Sequence, residues 1–262
     1  ATCAVSLAHG KDAQVYSCGF IPETSFLITA AESTVRCWDL RVGSSSEEPT
    51  SAWSYDSIGR TTPYGGAQRN PNNENFVFDI RVSPPATGGV NRLFAAALSD
   101  GTARVSAGLH AGGVSPTSVA DLSLNDGVML SAIEWSPDGR SLAASRGDGS
   151  LLVWDSRTWK CRAVLAGAHS RPCYGSVFHP HDPALLLSWS SDGTIALWDS
   201  LRTERPEPIH YGLTPHQADS PSYPILRCAW SPDGRSLVVA GGDGSGSMSF
   251  LGVPVWLVDL VT

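Results

Sequence analysis

No apolar run in the sequence approaches the 18 or more residues of a membrane span, and no signal-peptide pattern opens it. A membrane partner is therefore not expected. Charge is scarce: 16% of residues are Asp, Glu, Lys or Arg, and the formal net charge is −7. That balance argues against broad electrostatic binding to nucleic acid, which needs clustered Lys and Arg. The six cysteines, at positions 3, 18, 37, 161, 173 and 228, contain no C-x-x-C pair. They read as small buried hydrophobes in a reducing compartment, cytoplasm or nucleus, rather than as disulfides or a zinc site. There is no G-x-S-x-G turn of the hydrolase type. The glycine-rich tract at 241–246 lacks the Lys of a phosphate loop and no helix follows it, so it reads as a flexible hairpin and no cofactor is expected.

What is present is a set of short apolar runs separated by Pro and Asp-Gly turns. The clearest lies at 169–199. An apolar segment ends at Phe178, a proline turn covers 179–183, and apolar residues run from Ala184 to Trp189. Then come Asp192-Gly193 and a last run, Thr194 to Trp198, closed by Asp199. Runs of this length between such turns read as antiparallel strands, with Asp-Gly supplying the positive φ of a two-residue hairpin. The unit recurs. SCGFIPE, DIRVSPP, IEWSPDG, SVFHPHD and CAWSPDG each carry a strand into a proline turn, at prolines 22, 84, 137, 180 and 232. Four units close on Trp-Asp or a looser equivalent: Trp38-Asp39, Trp154-Asp155, Trp198-Asp199, and Trp256 with Asp259. A second unit keeps Asp100-Gly101 and loses the Trp. The Trp154-to-Trp198 spacing is about the 40–45 residues of one propeller blade.

These motifs resemble WD40 repeats and cover nearly the whole chain. The resemblance implies an all-β, WD40-type β-propeller formed by residues 1–262 as one domain. Its blades fall at approximately 9–55, 56–122, 123–165, 166–211 and 212–262, with a strand at 2–7 closing the last. Five blades are recognisable. A five-bladed ring and a piece of a seven-bladed one both remain open, and the start at Ala1 rather than Met is in keeping with the second.

His169, Ser188, Asp192 and Trp198 have the residue types of a catalytic triad with a Trp added. In WD40 repeats such residues form a buried hydrogen-bonded chain, and a satisfied buried network rigidifies a blade without any catalysis. Degraded copies are expected at His9, Thr29, Glu32 and Trp38, at Asp148 and Trp154, and at Asp243 and Trp256. His179-Pro180-His181-Asp182 reads as a solvated turn; no Cys or Glu sits at metal-ligand spacing, and no metal is expected.

Two features point to partners. Residues 56–75 and 212–224 are long Gly/Asn/Pro-rich connections from an outer strand to the next inner strand, so they emerge at one end of the blades. Loops of this length are often functional. Arg60, Tyr64 and Arg69 lie in one, and Tyr211, His216 and Tyr223 lie in or beside the other; Tyr and Arg are enriched at interface hot spots. Second, Trp38-Asp39-Leu40-Arg41 and Trp154-Asp155-Ser156-Arg157 spell W-D-x-R. This resembles the motif of WD40 substrate receptors that dock on the adaptor of cullin-4 ubiquitin ligases. The plainer alternative is an Arg pairing with a neighbouring acid or backbone. The expected function is a non-enzymatic scaffold binding a protein or peptide on the long-loop face. A cullin-4 substrate receptor and a propeller hydrolase are the alternatives.

Overall fold

The computed structural model describes residues 7–9, 13–41, 51–55, 75–85, 92–108, 116–202, 206–213, 224–241 and 255–259. Among them the chain is all-β, and every sheet is an antiparallel meander in chain order. The first sheet is β1 (Val15–Phe20), β2 (Phe26–Ala31), β3 (Thr34–Asp39) and β4 (Ser51–Tyr55). The second is β5 (Val77–Val82), β6 (Leu93–Leu98), β7 (Ala103–Ala107) and β8 (Thr117–Leu122). The third is β9 (Leu130–Trp135), β10 (Ser141–Arg146), β11 (Leu151–Asp155) and β12 (Cys161–Leu165). The fourth is β13 (Cys173–Phe178), β14 (Leu185–Ser190), β15 (Thr194–Asp199) and β16 (His210–Leu213). The fifth has three described strands, β17 (Ile225–Trp230), β18 (Ser236–Gly241) and β19 (Val255–Asp259). Four-stranded meanders of this kind are what the resemblance to WD40 repeats implies. The expected closing strand at 2–7 lies outside the described residues, apart from Leu7.

The chain divides into two compact units, residues 1–130 and 131–262. In the first, the two sheets pack face to face through Ile28, Ala30, Val35, Val77, Ile80, Phe94 and Leu98, all buried. In the second, Leu151, Val153, Leu165, Phe178 and Trp198 fill the space between the third and fourth sheets. Leu187, Trp189, Ile225, Cys228 and Val239 do so between the fourth and fifth. The second strands are the most buried: all six residues of β10 are buried, as are five of six in β14. A strand covered on both faces favours a run such as Leu-Leu-Leu over strict alternation.

The turns differ from the two-residue hairpins expected. Arg146 N–H donates to Ser150 O (3.0 Å) and Gly149 N–H to Arg146 O (3.1 Å). Only the glycine has positive φ, at 87°, 88° and 82° for Gly101, Gly149 and Gly193. This is a four-residue turn whose last residue is left-handed, and the Asp serves as a side-chain acceptor. Gly149 also has no room for a side chain: a Cβ would lie 2.7 Å from Arg171 O and 2.9 Å from His169 O.

The cysteine expectation is corrected in part. Cys37, Cys173 and Cys228 are buried free thiols, but Cys18 and Cys161, although in strands, are exposed. Burial pushes Cys37 up to about 12 and Cys173 up to about 11, so neither carries thiolate at neutral pH.

Candidate functional site

The fourth sheet brings its four predicted residues together, with a fifth between them. Trp198 Nε1–H donates to Ser188 Oγ (2.9 Å), and Ser188 Oγ meets His169 Nε2 at 2.7 Å. His169 Nδ1 meets Thr194 Oγ1 at 2.7 Å, and the Thr194 hydroxyl donates to Asp192 Oδ1 at 2.5 Å. A carboxylate only accepts, so the Thr194 hydroxyl proton is spent on Asp192 and its oxygen accepts from His169 Nδ1–H. Asp192 stands 3.9 Å from His169 Nδ1, beyond hydrogen-bond length, and reaches the ring through Thr194. It also accepts from Ser170 N–H (2.7 Å) and Thr194 N–H (2.9 Å). Burial pushes the Asp192 carboxyl up, but these bonds outweigh it and hold it below its ordinary range; burial lowers His169, which Asp192 partly offsets. The serine–imidazole distance is one a nucleophile and base would use. Ser188, however, is fully buried and Trp198 1% exposed, so the hydroxyl has no route to a substrate.

Thr194 was missing from the sequence reading. Its signal is Asp-Gly-Thr/Ser, which occurs in four repeats, and in the three among the described residues Oδ1 accepts the N–H two residues on: Thr102 (3.0 Å), Ser150 (3.0 Å) and Thr194 (2.9 Å).

The copies diverge from the expected ones. In the first sheet Trp38 Nε1–H donates to Thr29 Oγ1 (2.8 Å), which meets His9 Nε2 (2.5 Å), and His9 Nδ1 meets Thr34 Oγ1 (3.3 Å). Thr34 then donates to Ala31 O (3.0 Å), so a carbonyl ends the chain. Glu32 does not take the acid's place: Ala31 pairs with Thr34 directly, and Glu32 sits exposed in the turn at φ 50°. In the third sheet Arg146, 4% exposed, binds Asp148 Oδ2 (3.0 Å), and Ala144 stands where Ser188 stands in the fourth. In the fifth sheet Trp256 is displaced. Trp38, Trp154 and Trp198 pair with Leu27, Leu142 and Leu186, whereas Leu237 pairs with Val258 and Trp256 faces Val239. Val258-Asp259 is therefore the Trp-Asp equivalent, and Trp256 is two positions early. Asp243 lies outside the described residues.

The two W-D-x-R motifs are not alike. Arg41 folds back on Asp39, with Nε 3.0 Å from Oδ1 and Nη2 2.7 Å from Oδ2, and its guanidinium lies 5.3 Å from the Phe26 ring. The side-chain bonds from Arg41 hold Asp39 at about 2. Asp155 is also held at about 2, first by Thr158 N–H and hydroxyl, and its ion pair is with Arg162 (2.7 Å). The Arg157 guanidinium is exposed and has no hydrogen bond or ion pair among the described residues. Both arginines follow a third strand, at the end of their sheets opposite the connections entering β5 and β17.

The His-Pro-His turn is not merely solvated. His179 Nδ1 accepts Asp182 N–H (3.0 Å), leaving Nε2–H to donate to Gly234 O (3.0 Å), while His181 Nε2 meets Pro232 O (2.8 Å). Two imidazoles thus clasp the first turn of the next sheet, and His179 packs edge-on to Trp230 at 4.9 Å. No group of three or more metal-ligating side chains occurs among the described residues. Tyr211 belongs to β16, opposite Ala196, and not to the loop beyond it. Arg60, Tyr64, Arg69, His216 and Tyr223 lie outside the described residues.

Comparison with known proteins agrees with this geometry. A human protein named pre-mRNA-processing factor 17 is 36% identical over 67 residues, 26% of this chain and 11% of its own. COMPASS component SWD1 of Saccharomyces cerevisiae is 34% identical over 111 residues, 41% of this chain and 24% of its own. Mouse nucleoporin Nup43 is 33% identical over 96 residues, 36% and 25%. The matches thus span a quarter or less of these relatives. The family model described as WD domain, G-beta repeat matches residues 1–39, 117–155, 159–199 and 210–246. The unmatched stretch 40–116 contains the first three strands of the second sheet, β5 to β7, where Ser106, opposite Phe94, replaces the tryptophan. With more than half its residues matched, the chain belongs to the WD40 repeat family.

Proposed function

We propose that the chain is a non-enzymatic protein-interaction scaffold that binds a protein or peptide on the end of its blades carrying the long loops. In this reading the five sheets act as one ring-like domain of the cytoplasm or nucleus, and neither nucleic acid nor membrane is a partner. The observation that carries it is topological. β4 ends at Tyr55 and β5 begins at Val77; β16 ends at Leu213 and β17 begins at Ile225. Both long connections run from a fourth strand to a first strand, and in a meander such connections share an end with the second-to-third-strand turns. The buried tetrad supports the non-enzymatic half, because its hydroxyl and imidazole are committed to each other and to the scaffold. The relatives' names, a nucleoporin and a COMPASS component, are those of parts of larger assemblies.

Crosslinking mass spectrometry on a native pull-down tests the reading. Contacts should fall on residues 56–75 and 211–224. Replacing Arg60, Tyr64 and Arg69 with Ala should weaken the complex and leave the melting temperature unchanged. Contacts confined to Arg41, Arg157 and the opposite end would replace this reading with adaptor docking. Exposed Arg157 favours that second reading, while Arg41, already bound to Asp39, does not.

A further inference from the structure

In four of the five sheets the first strand is irregular at the same place. Pairing skips one residue between Val15 and Ser17, Val77 and Asp79, Cys173 and Gly175, and Ile225 and Arg227. The skipped residues are Tyr16, Phe78, Tyr174 and Leu226. A bulge re-aims the side chain it releases, and such features gather next to functional sites. All four lie near the start of their strands, the end reached by the fourth-to-first-strand connections.

In the first unit the released side chains come together. The Tyr16 ring is 5.9 Å from Phe78 at 74° and 6.4 Å from Phe76 at 73°, and Phe76 is 6.5 Å from Phe78. Tyr16 is 43% exposed. The group is held from behind. Phe76 N–H donates to Ser99 Oγ (3.0 Å), Ser99 N–H donates to Phe76 O (3.0 Å), and the Tyr16 hydroxyl donates to Gln14 Oε1 (2.9 Å). Val77 N–H, between the two phenylalanines, donates to Glu32 O (2.7 Å). Glu32 is exposed, makes no ion pair among the described residues, and holds a left-handed φ that ordinarily favours glycine. Three clustered aromatic rings, with the exposed Glu32 on the turn whose backbone carbonyl binds Val77, suit a cation better than a neutral apolar group. The net charge of −7 favours basic partners in the same direction.

We propose that Tyr16, Phe76, Phe78 and Glu32 form a receptor for the ammonium side chain of a lysine, plain or N-methylated, on a basic segment of a protein partner. This deepens the loop-face reading and rests on it for the partner, though not for the ammonium site itself.

The test is aromatic 1H–13C NMR of the full 262-residue chain titrated with n-butylammonium, choline and 3,3-dimethylbutan-1-ol, the neutral isostere of choline. One or both cations should shift the Tyr16, Phe76 and Phe78 signals, and which of them binds more tightly tells plain from methylated lysine. The alcohol should bind several-fold more weakly. Glu32→Gln should weaken cation binding about threefold, Tyr16→Ala should abolish it, and Tyr16→Phe should retain it. An equal response to the alcohol, no response to either cation, or full binding by Tyr16→Ala overturns the proposal. The native pull-down separates the two levels. A Tyr16→Ala complex that is intact and still crosslinked through 56–75 overturns the receptor and leaves the loop face standing. Cation binding at the triad with partner crosslinks only at the opposite end supports the site and removes the loop-face reading.

Discussion

Gly175 on β13 and Trp189 on β14 are cross-strand partners, and the indole occupies the space a side chain on the glycine would need. A Cβ there would stand 2.2 Å from Trp189 Cζ2 and 2.7 Å from Cε2. The same indole donates Nε1–H to Leu226 O of the next sheet (3.3 Å), so it cannot retreat without losing an inter-sheet bond. Gly175→Ala should cost about 1–3 kcal/mol as an overpacking change, read as a lower urea midpoint with unchanged slope. A variant as stable as the parent would mean that the indole can move.

The tetrad should behave as a structural network. Trp198→Phe and Asp192→Ala each leave buried partners unpaired and should lower stability by roughly 1–3 kcal/mol. Because both act on one chain of bonds, the double variant should lose less than the sum. Hydrolytic activity abolished in Ser188→Ala with stability intact would reverse the assignment.

Acid should weaken the fold in two windows. The folded His169 imidazole titrates below its ordinary value of 6.5, so between that value and the folded one the unfolded chain binds the extra proton. Stability is complete above 6.5 and falls as pH drops below it. Folded Asp192 titrates below 3.8, so its contribution is lost only as pH falls further, through the folded value. Melting temperatures between pH 7 and 5 should therefore decline in the parent and flatten in His169→Gln. An unchanged slope in the variant would assign the effect to other groups.

Ser106 stands where three other sheets place tryptophan, and its Oγ is buried with no hydrogen-bond partner among the described residues. Ser106→Ala removes that hydroxyl and should stabilise the chain by about 1 kcal/mol, visible as a small rise in the urea midpoint. A loss of stability would reveal a partner for the hydroxyl.

Closure by the N-terminal strand is open to truncation. If residues 2–7 close the last sheet, removing residues 1–8 should expose the edge of β19 and cost several kcal/mol through lost burial, about the worth of two or three large side chains. It also removes the Ala8 carbonyl that accepts Arg36 Nη1–H (2.9 Å). A melting temperature within a degree or two of the parent would rule closure out.

The sequence by itself determined the strand–turn period, because proline and glycine act on their own φ angles and need no distant partner. The fourth repeat shows this. The runs read at 184–189 and 194–198 became β14 and β15, and the tetrad residues met as their types required. Tertiary structure decided whatever depends on which residue stands opposite which. Trp256 reads as the Trp of a Trp-Asp ending, yet register puts Val258 opposite Leu237. Asp39 and Asp155 share a motif, but one takes Arg41 and the other Arg162, because only β12 brings a second arginine within reach. His179 and His181 found their acceptors more than 50 residues away, at Gly234 and Pro232. The chemistry of a side chain is written locally; its partner is set by strand register and by the packing of one sheet on the next, to which the local pattern is blind.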